Sequence, residues 1–127
     1  MMRALPLMAA LLACTVAASP AAAQDMNAQS FFERAKKLEG KGPLALFDGD
    51  LKPLQREGEA AAKRAIARND AARAKGEAPR FCIPKGAKEM GPREFLKAME
   101  GFTAAQRRQW DSTELTARIF ARKYPCR

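Results

Sequence analysis

Phe81-Cys82-Ile83-Pro84-Lys85-Gly86 opens, and Lys123-Tyr124-Pro125-Cys126 closes, the stretch that decides how this chain folds. Pro79 just before it, with Pro84 and Gly86 inside it, forces its opening into an extended, turning path, and Pro125 stops its last helix. In between, Gly91-Pro92 places a proline in the first turn of a helix whose inner stripe is Phe95, Leu96 and Met99. Thr103 with Gln106 three residues on, and Asp111 with Glu114, have the reciprocal pattern of helix N-termini. Trp110 lies between these starts, and Leu115, Ile119 and Phe120 share the inward face of the last helix.

The chain has three cysteines. Cys14 falls in an N-terminal segment expected to be removed or lipidated, so Cys82 and Cys126 remain and allow one intramolecular connectivity. A bridge between them closes a loop whose chain-entropy stabilisation is roughly 4 kcal/mol. Small exported domains commonly need such a staple, because a short chain buries a limited fraction of its apolar surface.

The beginning of the chain reads as a targeting segment. Arg3 supplies a positive charge, residues 4–18 are almost wholly apolar, and Ser19-Pro20-Ala21-Ala22-Ala23 gives a helix breaker followed by small residues suited to a secretory peptidase. Cleavage is expected after Ala23, leaving residues 24–127 as a single helical domain in the periplasm or outside the cell. The apolar run is about 15 residues, shorter than a permanent membrane span requires, so no transmembrane segment is expected. Leu11-Leu12-Ala13-Cys14 offers a rival: a lipoprotein cleavage site that would anchor the chain through Cys14.

The first half of the mature chain is patterned for helices. Phe31, Phe32, Ala35 and Leu38 share a face, and Gly40 stands where a C-terminal glycine ends a helix. Gly42-Pro43-Leu44-Ala45-Leu46-Phe47 is too short for a full helix and is expected to plug Leu44, Leu46 and Phe47 into the core. Asp48-Gly49-Asp50 invites a calcium reading, but the remaining oxygen ligands and closing Glu of such a site are missing, and Asp50 fits better as an N-cap. The longest pattern covers residues 50–75. Its inward positions are Leu51, Leu54, Gly58, Ala61, Ala62, Ala65, Ile66, Asn69 and Ala72, a narrow face made mostly of small side chains. All-α architecture follows, with four to five helices stapled by one disulfide.

The formal charge is +9, and removing residues 1–23 takes away one basic residue and no acidic one. The long helix carries much of that charge. Arg64, Arg68, Arg73, Lys75 and, just beyond it, Arg80 are the candidate contacts for an anionic partner. Nucleic acid also needs a reading motif, and none is present; alanines are poor membrane anchors; an acidic protein surface is the better fit. No histidine occurs anywhere, which removes the commonest base near neutral pH and the commonest zinc ligand. Ser30 and Ser112 have no evident activating partner in the sequence, and no cofactor motif is seen. An enzyme is not expected.

The Phe-Cys-Ile-Pro opening with glycine close behind, followed by a helix, a polar turn rich in Arg and Gln, a second helix and a closing aromatic-Pro-Cys, resembles the Rap/Tai family of immunity proteins from type VI secretion systems. The likeness spans residues 81–126, and a basic, alanine-rich helix stands where the family has a Gly-Tyr-containing one. It implies an exported, all-helical protein with a bridge at Cys82 and Cys126 and with Phe81 and Tyr124 packed around it. Some members bind a peptidoglycan-cleaving amidase toxin and block its active site, often as dimers. A cell-wall amidase is therefore the implied partner and a homodimer an implied state. The competing reading is a general envelope stress protein or chaperone that binds many clients.

Overall fold

The computed structural model describes residues 25–127; the expected leader, its expected cleavage site after Ala23 and Cys14 lie outside the described residues. Five α-helices and a 3-10 helix account for most of them: α1 (Ala28–Gly40), the 3-10 helix (Gly42–Phe47), α2 (Leu51–Ala74), α3 (Pro92–Glu100), α4 (Ala104–Gln109) and α5 (Ser112–Lys123). The extended backbone among the described residues meets in one isolated antiparallel bridge, Asn27 with Asp111. No helix there is long and apolar enough to cross a membrane.

Caps set most boundaries. The Asn27 carboxamide accepts from the backbone N–H groups of Gln29 and Ser30 and opens α1. Thr103 and Gln106 satisfy each other reciprocally at α4, and Asp111 accepts from the Glu114 N–H at 2.7 Å at α5. Gly40 remains inside α1. The left-handed residue that turns the chain is Gly42, at φ 54°. Asp50 takes the N-cap position of α2, but its carboxylate is held by Arg34 and caps nothing.

α5 is the hub. Leu115, Ile119 and Phe120 are buried on it, with Thr113 and Thr116 beside them, and α1, α2 and α3 all pack against it. The buried residues of α2 are Leu54, Ala61, Ala65 and Asn69. Small side chains let α2 and α5 lie close together, so a narrow face suffices. Ile66 falls outside it and is exposed. Edge-on aromatic pairs join the elements: Phe31 with Phe95, Phe81 with Phe120, and Phe102 with Trp110.

Arg107 is the one buried cation among the described residues. It donates to the Met99 and Phe102 carbonyls at the end of α3 and to Gln29 on α1, and its guanidinium lies 3.8 Å over the Phe32 ring. Burial, reinforced by Arg108, pulls its pKa down from the ordinary arginine value. Carbonyl dipoles at a helix C-terminus replace the missing carboxylate.

The stretch at residues 42–47 departs from expectation. Leu44, Leu46 and Phe47 are 69%, 74% and 88% exposed rather than plugged into the core. The reason is the helix type. With three residues per turn, a 3-10 helix aligns residues three apart, so Ala45 and Asp48 form the half-buried row while Leu46 and the Leu44/Phe47 row point elsewhere.

Candidate binding face beside the disulfide

Cys82 and Cys126 are bridged, with Cα atoms 5.0 Å apart. The Cys82 N–H donates to the Tyr124 carbonyl at 2.8 Å, so backbone and sulfur together clamp the extended segment to the end of α5. Phe81, just before the bridge, is 2% exposed and presses on Phe120. Its carbonyl accepts from the Asn69 amide at 2.9 Å, and the Asn69 oxygen accepts from the Arg80 N–H at 2.7 Å. A buried carboxamide on α2 thereby serves both polar groups of a segment that has no helix or strand to satisfy them.

Most of the cations singled out in the sequence gather near this corner, in different states. Arg80 makes a two-pronged contact with Glu114, at 2.7 and 2.8 Å, and Arg118 adds a third bond to the same carboxylate. The Arg80 bonds, followed by those of Arg118, hold the Glu114 carboxyl below its ordinary range, and Arg80 is raised in return. Arg73 reaches within 3.7 Å of the Cys82 sulfur, and Lys75 is exposed at the end of α2. Arg68 meets Asp25 at 3.4 Å and keeps most of its side chain in solvent.

Arg64 is turned inward. It contacts Asp25 at 2.5 Å, Glu57 at 2.9 Å and Thr113 at 2.9 Å, and so fastens the first described residues to α2 and α5. Glu57 also accepts from Ser112 Oγ at 2.5 Å. That serine does have a carboxylate neighbour, but it is 2% exposed and its contact joins two helices. Asp25 and the Arg80–Glu114 pair escaped sequence reading because they join residues far apart in the chain, which no local pattern marks, whereas Glu57 with Arg64 on α2 and Glu114 with Arg118 on α5 stand at helical spacings.

Arg68, Asn69, Arg80, Phe81 and Glu114 line a dent of about 70 Å³ between α2 and α5. A more open groove of about 320 Å³ between α3 and α5 is lined by Met90, Phe102, Ile119 and the flanking Lys97, Arg122 and Lys123. The first is too small for a drug-sized ligand. Within the described residues no three His, Cys, Asp or Glu side chains converge as metal ligands. The chemistry on offer is recognition of carboxylates by arginines whose resident partners are already on the surface. Comparison with protein-family models, with curated proteins and with solved structures returns no match to this chain.

Proposed function

We propose that this chain is an exported, non-enzymatic binding protein that occupies and silences a peptidoglycan amidase toxin, in the manner of the Rap/Tai immunity proteins it resembles. The observation that carries the reading is the Cys82–Cys126 bridge, which closes the same segment that bears the resemblance. The arginine-rich face beside it supports an acidic protein as partner: Arg68, Arg73, Lys75 and Arg80 lie on or next to one rigid corner, and Arg80 and Arg118 are pre-oriented by Glu114. Pre-oriented side chains lose less freedom on binding than loose ones.

The test is affinity recovery from envelope extract, followed by a peptidoglycan-hydrolysis assay on whatever is retained. Stoichiometric recovery of one amidase, inhibited at equimolar protein, is the expected result. A broad set of unfolded clients would instead favour the general envelope chaperone.

A further inference from the structure

The 3-10 helix Gly42–Phe47 leaves three large apolar side chains in solvent, and Phe47 is the most exposed large hydrophobic among the described residues. A flexible loop could hide such groups; this one is fixed. Ala45 packs on the core, the Leu44 N–H donates to the Lys41 carbonyl at 3.2 Å, and the Asp48 N–H donates to the Ala45 carbonyl at 3.1 Å. The turn therefore presents its side chains while keeping these backbone groups internally paired, which a low-dielectric environment demands.

The charge around the turn is one-sided. Its two carboxylates are already taken, Asp48 by Lys41 and Asp50 by Arg34. Lys37, close enough to draw both carboxyls down, and Lys52 at the start of α2 are exposed and enter no ion pair within the described residues. An apolar tip with an uncompensated cationic collar, on a chain of formal charge +9, matches an anionic lipid surface.

We propose that this turn is a membrane-docking wedge that sets Leu44, Leu46 and Phe47 at the headgroup and acyl boundary of an anionic bilayer while Lys37 and Lys52 face the lipid phosphates. Two other occupants fit less well. Two copies meeting here would bring like charge together, and three side chains offer much less than the ~800 Å² per partner of a stable interface. A pocket on another protein would account for the tip but leaves the lysine collar without a role. The proposal is separate from the toxin-binding reading, which uses the corner beside the disulfide.

The experiment follows residue 47 itself, because residues 4–18 of the full chain are apolar and binding to lipid alone would not be diagnostic. Phe47→Trp is compared with the parent chain, whose single tryptophan, Trp110, is half-buried. With phosphatidylglycerol-containing vesicles the difference emission is expected to shift to the blue and to be quenched by brominated lipid, and pure phosphatidylcholine should give neither effect. Adding Leu44→Asp and Leu46→Asp should weaken that signal at least about tenfold. Lys37→Glu or Lys52→Glu should each weaken it about fivefold, and salt should reproduce their effect. All five positions are exposed, so the melting temperature of each variant serves as the folding control. A tryptophan at 47 that stays unshifted and unquenched on vesicles that do bind the chain would overturn the proposal. So would a shift that appears without lipid as concentration rises, with a dimer in sedimentation, or one that only a protein partner produces.

Discussion

The Asn69 carboxamide holds Phe81 by its carbonyl at 2.9 Å while accepting the Arg80 N–H at 2.7 Å. One buried side chain on α2 thus fixes the residue that fills the core and the residue that engages Glu114. Asn69→Ala strands both backbone groups, and a loss of about 2–3 kcal/mol in urea unfolding is expected. Asn69→Leu, which keeps the volume, should be no better. A loss within experimental error would show that water replaces the clamp.

Breaking the bridge by Cys82→Ser, or by reductant, should lower stability by about 4 kcal/mol, the upper end for a loop of this size. Intact mass under non-reducing conditions tests the bond directly. Free thiols at both Cys82 and Cys126 would contradict it.

Glu114 makes the stability of the fold depend on pH in the acid range. Its folded pKa lies below the ordinary value of 4.5 because Arg80, then Arg118, bind the ionised form. A carboxyl depressed on folding contributes stability above its unfolded pKa and loses that contribution as pH falls through the folded one. Wild type should therefore melt above Glu114→Gln near neutral pH, by about 1 kcal/mol after allowing for solvent screening. The gap should close as the solution is acidified below pH 4.5. A pH-independent gap would mean that the glutamine loses packing instead.

Arg107→Met removes a buried guanidinium from three oxygen acceptors and from the Phe32 face, and about 2–4 kcal/mol should be lost. Arg107→Lys should recover little, because an ammonium cannot serve acceptors spread over two helices and lie flat on the ring. Equal stability of the lysine variant and wild type would assign the effect to charge alone.

Gly58 offers a gain. Its position in α2 is helical, and an added Cβ meets Phe31 Cζ at 3.6 Å, an ordinary contact. Gly58→Ala should raise stability by about 0.5–1 kcal/mol. A drop would show that α1 and α2 are spaced more tightly than this distance.

Local chemistry made the helical half of this fold readable. Thr103 with Gln106 and Asp111 with Glu114 announced α4 and α5, and Pro92 announced α3, because caps are short-range interactions between neighbours in sequence. The inward face of α2 was legible to Asn69, but only as a position; its two backbone partners lie beyond a helix end and a turn. Leu44, Leu46 and Phe47 went astray for a different reason. Hydrophobicity indicates that a residue gains by burial, whereas the pitch of a six-residue turn decides which way it points. The corner beside the disulfide was readable in its sulfurs and its cations, while the pairing of Arg80 with Glu114 and of Arg68 with Asp25, each distant in sequence, gave no local sign.

The bridge has a consequence for the chain once it is cut. Lys85 and Lys88 lie on the exposed connection between Cys82 and α3, around Gly86 at φ 77°, and offer a protease its easiest entry to this half of the molecule. A nick there falls inside the covalent ring, so the severed pieces stay attached through sulfur and through the packing of α5 on α2. Such a clipped molecule would travel as one species until a reductant and a denaturant together released its C-terminal fragment.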